Sequence, residues 1–83
     1  MSFEISWDEN ALRDLEKIDF LLRKRIIKKI EQFAESESFH EIKKIQGAEK
    51  VYRLRVGDYR ILFEILQNEL FILKIGHRKS IYD

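Results

Sequence analysis

Hydrophobic residues in the first half of the chain recur every three or four positions, the spacing of one face of a helix. A short apolar segment from Phe3 to Ser6 precedes them and predicts a first strand. Two helical stripes follow, the first made of Ala11, Leu12, Leu15 and Ile18, and the second of Leu22, Ile26, Ile30 and Phe33. The pattern predicts a strand followed by a helical hairpin with one apolar face.

Polar residues mark the expected starts of both helices. The segment from Ser6 to Glu9 has the S-x-x-E spacing of a capping box, in which both end residues accept a hydrogen bond from a free backbone N–H. Asp19 stands just before the second stripe and is the predicted N-cap there. Residues 36–50 are polar and irregular, and we expect one short helical turn around Ile42.

The second half of the chain alternates between apolar and polar positions, which is the period of a strand. Gly57-Asp58 interrupts the run from Tyr52 to Ile65 and fits a two-residue type II′ turn. The opposed pairs that this turn predicts are Val56 and Tyr59, Arg55 and Arg60, Leu54 and Ile61, and Tyr52 and Phe63. This register separates apolar residues from arginines, whereas a shift by one residue would bury the arginines.

A third strand is predicted from Leu70 to Ile75. We expect Phe71, Leu73 and Ile75 to face the core, because this arrangement leaves Lys74 on the same face as the arginines. The predicted fold class is α+β, with an N-terminal strand and a helical hairpin packed on one face of a small, mainly antiparallel sheet. Residues 1–83 form one domain in this prediction.

Composition limits the chemistry that the chain can carry. It has 83 residues and no cysteine, so disulfides and cysteine ligands are excluded. The carboxylates are scattered and the two histidines lie far apart, so we predict no metal site and no cofactor. The first residues turn acidic at once, unlike a signal peptide, and no apolar run approaches the roughly 20 residues of a membrane span. We therefore expect a cytoplasmic protein without a membrane partner.

Positive charge concentrates on one face of the predicted hairpin, although the formal net charge of the chain is only +1. Arg53, Arg55 and Arg60 share that face, where opposed like charges cost a few tenths to about 1 kcal/mol. A bound anion would remove this cost, and arginine pairs well with phosphate oxygens. The alternative explanation is a charged sheet edge that discourages aggregation.

Further cationic residues adjoin this face. Lys74 lies in the third strand, and His77, Arg78 and Lys79 follow it. Tyr82 supplies a ring on which a nucleobase can stack. Phosphate is the ligand that suits this cluster, and RNA would add a 2′-hydroxyl that can attack the adjacent phosphate once it is positioned and the phosphorane is stabilised.

The segment YRLRVGDYRILFEI, followed by a strand and GHRKSIY and preceded by IKKIQG, resembles the RelE toxins of the RelE/ParE superfamily. The resemblance covers nearly the whole chain. It implies a compact toxin that is held inactive by a tightly bound, RelB-like antitoxin. It also implies a metal-free ribonuclease that enters the ribosomal A site and cuts mRNA by 2′-hydroxyl attack, leaving a cyclic phosphate and a 5′-hydroxyl.

The resemblance also suggests roles for individual residues. Arg53 and Arg55 occupy the places of two active-site lysines, and Arg60 that of an arginine that stabilises the phosphate. Arg78 matches an arginine proposed as the general acid, and Tyr82 a tyrosine that stacks on a base. Three lysines, in the IKKIQG segment and around the end of the third strand, are expected to bind RNA phosphates: Lys44, Lys74 and Lys79.

The two arginines that replace lysines leave the general base unassigned, since arginine does not give up its proton. We expect Arg53 and Arg55 to act as electrostatic clamps. For Arg78 we expect stabilisation of the phosphorane rather than the role of general acid, because its guanidinium does not readily give up a proton. Histidine is the one residue type in the cluster that commonly exchanges a proton near neutral pH, so His77 is the predicted proton carrier. Its alternative role is to bind phosphate or to brace the end of the strand.

Two other functions remain open. A ParE-like protein would share the fold and inhibit DNA gyrase by binding, although such a binder has no need of the arginine cluster. An inactive relic would bind only its antitoxin. In each case we expect the antitoxin to fold on binding and any DNA contact to belong to the antitoxin. Leu62, Leu66 and Ile72 are the expected docking points, and the alternative is that they pack against neighbouring strands.

Overall fold

Five strands form one mixed sheet in the computed structural model, which describes residues 3–36, 42–44 (backbone only), 51–77 and 79. The strand order is β1-β5-β4-β3-β2, with β1 parallel to β5 and every other pair antiparallel. The elements in chain order are β1 (Glu4–Trp7), α1 (Glu9–Glu16), α2 (Phe20–Ser36), β2 (Ile42–Lys44), β3 (Val51–Val56), β4 (Tyr59–Leu66) and β5 (Glu69–His77). The predicted α+β class is confirmed.

The first helix begins later than the capping box predicts. Asp8 is the N-cap of α1, and its Oδ2 accepts the Asn10 N–H at 3.0 Å. Ser6 lies in β1 opposite Phe71, because the parallel ladder with β5 continues to Trp7 and the Asp8 N–H then donates to the Ile72 carbonyl at 2.8 Å. The capping box at Ser6 is therefore wrong. The predicted cap at Asp19 is confirmed, since its Oδ2 accepts the Leu21 N–H at 3.3 Å.

The core lies between the helical hairpin and one face of the sheet. Most of both helical stripes is buried there, but Leu12 is 44% exposed. The Phe33 ring lies 5.6 Å from that of Phe63 and 6.2 Å from that of Phe3, so it joins α2 to the sheet. The buried cluster consists of Ala11, Leu15, Ile18, Ile26, Ile30, Phe33, Leu54, Val56, Ile61, Phe63, Leu70, Ile72 and Ile75.

The hairpin β3–β4 has the predicted register at every pair. Gly57 has a φ of 59°, and among the described non-glycine residues only Gln67 has a positive φ, so Asp58 fits the second position of a type II′ turn. Glycine adopts this conformation without steric strain, which explains why the turn begins there. Neither helix among the described residues is long and apolar enough to cross a membrane.

Candidate functional site

Three arginines lie on the face of the β3–β4 hairpin that points away from the core. Arg55 pairs with Arg60 across the two strands, and Arg53 pairs with Leu62 two residues further along. Leu54, between Arg53 and Arg55 in sequence, and Ile61, next to Arg60, are buried. We refer to Arg53, Arg55 and Arg60 as the arginine face. The alternation of the two strands thus places three arginines on one face of the hairpin, as predicted.

Arg60 differs from the other two arginines of the arginine face in the environment of its guanidinium nitrogen atoms. Its Nε and Nη1 atoms are buried and have no hydrogen-bond partner within the described part of the chain. Buried donors in proteins are nearly always paired, so two unpaired donors on one guanidinium make Arg60 a candidate for binding an acceptor from outside the chain. The Arg55 Nε, by contrast, donates to the Gly57 carbonyl at 3.3 Å. An anion bound between Arg55 and Arg60 would give these nitrogen atoms an acceptor once the Arg60 side chain turns to meet it, because both atoms are buried in the structure.

The end of β5 completes the site. Lys74 pairs with Leu62 and is exposed on the arginine face, as predicted. Gly76 pairs with Arg60 and carries no side chain. In register, the cations form two neighbouring rows across the sheet, one with Arg53, Leu62 and Lys74 and one with Arg55, Arg60 and Gly76.

The predicted inward direction of Phe71 and Leu73 is wrong. Leu70 and Ile72 are buried instead, and Ile75 is buried as predicted. The cause is a register shift: Phe63 pairs with Ile72, whereas Leu62 pairs with Lys74, so Leu73 is an extra residue that reverses the alternation. Because Ile72 is 0% exposed, its predicted role as a docking point is also wrong.

The strand β2 replaces the helical turn expected around Ile42. Its three residues pair antiparallel with β3 and satisfy part of the outer edge of that strand. Lys44 pairs with Tyr52, whereas Lys43 pairs with Arg53. By register Lys43, which was not among the predicted site residues, is the lysine that belongs to the row of the arginine face. If β2 had been predicted as a strand, Lys43 would have been assigned to this face, because neighbouring residues of a strand such as Lys43 and Lys44 point to opposite faces.

His77 is the predicted site residue that the strand alternation separates from the arginines. It pairs with Tyr59, which packs against the core side, and the two rings meet edge to face at 5.6 Å. Its Nδ1 accepts the N–H of Lys79 at 3.2 Å, and Lys79 is exposed. This geometry favours a bracing role at the end of β5. The predicted positions Arg78 and Tyr82 lie outside the described residues.

Metal binding finds no support in the part of the chain that is described. Its histidine, aspartate and glutamate side chains form no group of three or more that could hold an ion. The chemistry that the described site offers is electrostatic: arginine donors and a lysine share one face of the sheet. Phosphate, which accepts several charge-assisted hydrogen bonds, suits such an arrangement.

The fold has a helical hairpin on one face of the sheet and a cluster of arginines on the other. Comparison with known protein families shows which class of protein has this arrangement. Residues 5–82 match the family model described as the ParE toxin of the type II toxin–antitoxin system parDE. The chain belongs to this toxin family.

Individual relatives refine the assignment within the family. The chain is 41% identical to Toxin RelE3 of Methanocaldococcus jannaschii, with 96% of each chain covered. It is 26% identical to the mRNA interferase toxin RelE of Escherichia coli strain K12, covering 95% of this chain and 86% of that one. The RelB–RelE antitoxin–toxin complex from Methanococcus jannaschii matches with a TM-score of 0.78 and 37% identity, covering 94% and 95% of the two chains. The predicted resemblance to RelE toxins is confirmed.

Proposed function

We propose that this protein is a ribosome-dependent mRNA interferase that is neutralised by a RelB-like antitoxin. The observation that carries the proposal is the Arg60 guanidinium, whose two buried nitrogen atoms lack an acceptor among the described residues while Arg55 lies directly opposite. The name of the Escherichia coli relative, an mRNA interferase, agrees with this use of the site. The protein would act in the cytoplasm, where ribosomes and mRNA are its partners.

The reaction we propose is attack of an RNA 2′-oxygen on the adjacent phosphorus. The P–O bond to the 5′-oxygen breaks, the 2′-hydroxyl loses its proton and the leaving 5′-oxygen gains one, so the products are a 2′,3′-cyclic phosphate and a 5′-hydroxyl. The phosphorane between these states carries more negative charge than the substrate, so fixed cations stabilise it preferentially. Arg60 would bind the reacting phosphate, with Arg53 and Arg55 as clamps on its oxygens and on the neighbouring backbone.

Residues around the arginine face would hold the rest of the substrate. Lys74 and Lys79, both exposed, are proposed to bind RNA phosphates, and by its register with Arg53 Lys43 takes the role that the sequence suggested for Lys44. Arg78 is proposed to stabilise the phosphorane, and Tyr82 to stack on a base. The ribosome would supply the in-line geometry, because the arginines are poor proton acceptors and positioning must contribute much of the rate.

We predict that His77→Ala lowers the rate of mRNA cleavage by less than about tenfold. The reason is its ring contact with Tyr59 and its bond to the Lys79 N–H, which indicate a bracing role. The measurement is single-turnover cleavage on programmed ribosomes. A loss of about 100-fold or more, together with a changed pH–rate profile, would instead support the predicted role in proton transfer.

The antitoxin is proposed to cover the arginine face and exposed apolar positions beside it. Leu66 is 60% exposed and Leu62 is half-buried, so both remain available as docking points. The solved RelB–RelE complex supports a partner of the RelB type. Contact with operator DNA would come through the antitoxin.

Gyrase inhibition is the second candidate, because the matching family model describes ParE toxins. The purified protein should be added in parallel to a cell-free translation reaction and to a gyrase supercoiling assay. We expect translation to stop, supercoiling to continue, and the antitoxin to restore translation. Inhibition of supercoiling with translation unaffected would support the gyrase reading, and inhibition of neither process would support an inactive relic.

A further inference from the structure

The last part of β5 is held by a strand on one side only. On the other side the parallel ladder with β1 reaches its last pair at Trp7 and Ile72, after which the Asp8 N–H donates to the Ile72 carbonyl. From Lys74 to His77, β5 pairs with β4 alone among the described strands. This unsupported edge is the part of β5 that carries Lys74 and Gly76 in register with the arginine face.

A side chain of α1 takes the place of the missing strand. The Asp14 Oδ2 atom accepts the N–H of Ile75 at 3.0 Å, in a partly buried bond that spans 61 residues of sequence. Asp14 lies on a helix that is fixed in the core by Ala11 and Leu15. The bond holds the peptide between Lys74 and Ile75, immediately beyond the extra residue Leu73.

From this geometry we infer that Asp14 is a positioning residue for the proposed RNA site. It keeps the end of β5 against β4, so that Lys74 stays beside Leu62 and Gly76 stays beside Arg60. Asp14 does not touch the substrate in this account. It acts through the backbone of β5, in the way that supporting residues hold a binding constellation within a fraction of an ångström. The effect on RNA binding rests on the proposed function, whereas the effect on the position of β5 rests on the bond from Asp14 to Ile75.

A charge effect and a positioning role predict opposite changes in RNA affinity when Asp14 is replaced. Removing a carboxylate near a cationic site strengthens RNA binding if electrostatics alone matter. A positioning role predicts the reverse for Asp14→Ala, which loses the acceptor. Asp14→Asn keeps an oxygen acceptor and loses only the charge, so it should behave like the unaltered protein.

The test compares Asp14→Ala, Asp14→Asn and Asp19→Ala in the full chain. Asp19→Ala is the matched control, because it removes the same charge and a comparable carboxylate-to-backbone bond at the start of α2. The probe is a 2′-O-methyl RNA oligonucleotide, which binds but cannot be cleaved, and amide hydrogen exchange at Ile75 and Gly76 is measured alongside. For Asp14→Ala we expect affinity to fall about fivefold to tenfold and exchange at Ile75 to accelerate at least about tenfold. Asp14→Asn and Asp19→Ala should stay within about twofold for both readouts.

Unchanged or tighter RNA binding by Asp14→Ala would overturn the inference, as would equal losses in all three variants. Failure of the unaltered protein to bind the oligonucleotide would overturn it as well. Failure of the unaltered protein to cleave mRNA is a different result: it contradicts the proposed function, while the binding and exchange measurements still decide the role of Asp14.

Discussion

Arg60→Ala is expected to abolish toxicity, with cleavage slowed by at least about 100-fold, while the fold survives. Its guanidinium has two buried nitrogen atoms without an acceptor in the described structure and faces Arg55 across the hairpin. Removing it relieves both unfavourable features, so the free energy of unfolding should stay unchanged or rise by up to about 1 kcal/mol. A site that costs stability to maintain is typical of functional residues.

Growth inhibition in cells measures toxicity, and urea unfolding measures the free energy of unfolding. Antitoxin binding shows whether the rest of the surface stays intact. Arg25→Ala is the control, because it removes one exposed positive charge from α2, far in sequence from the arginine face. We expect Arg25→Ala to remain toxic and Arg60→Ala to keep its antitoxin affinity within about tenfold. Full toxicity of Arg60→Ala would show that activity does not need this arginine. A loss of stability above about 2 kcal/mol would show that the arginine serves the fold instead.

Phe33→Ala is expected to produce the largest loss of stability, about 3–5 kcal/mol. Phe33 is 1% exposed and its ring contacts those of Phe3 and Phe63, so its removal leaves a cavity where α2 meets the sheet. A small domain has only about 5–15 kcal/mol in total, so the melting temperature should fall by more than about 12 °C.

Thermal and urea unfolding in the non-toxic Arg60→Ala background give this measurement without selection against the toxin. Phe20→Ala is the matched control, since it removes the same side chain from a position that is 62% exposed. We expect it to change the free energy of unfolding by less than about 0.5 kcal/mol. Similar losses for Phe20→Ala and Phe33→Ala would contradict the assignment of Phe33 to the core.

The hairpin register was predictable because two independent signals agreed. A glycine-first turn and the alternation of apolar residues with arginines both allow only one pairing, and the structure has it. The arginine face follows directly from that register. The opposed pair of Arg55 and Arg60 needed no information from the rest of the chain.

Features that depend on distant backbone were not predictable in this way. The segment from Leu70 to Ile75 is apolar on both sides of Lys74, so alternation gives no sign of the extra residue at Leu73. β2 has three residues, too few for a period to show, and its identity depends on the free edge of β3. The bond from Asp14 to Ile75 joins residues 61 positions apart, and local sequence patterns carry no trace of it.

Translation-dependent mRNA cleavage tests most directly whether the arginine face is an RNA-cleaving site. The purified protein is added to ribosomes programmed with a defined codon in the A site, and new 5′ ends are mapped by primer extension, with Arg60→Ala and Arg25→Ala beside it. We predict cleavage within the A-site codon by the unaltered protein and by Arg25→Ala, and none by Arg60→Ala. Intact mRNA with the unaltered protein, or equal cleavage by Arg60→Ala, would contradict the account.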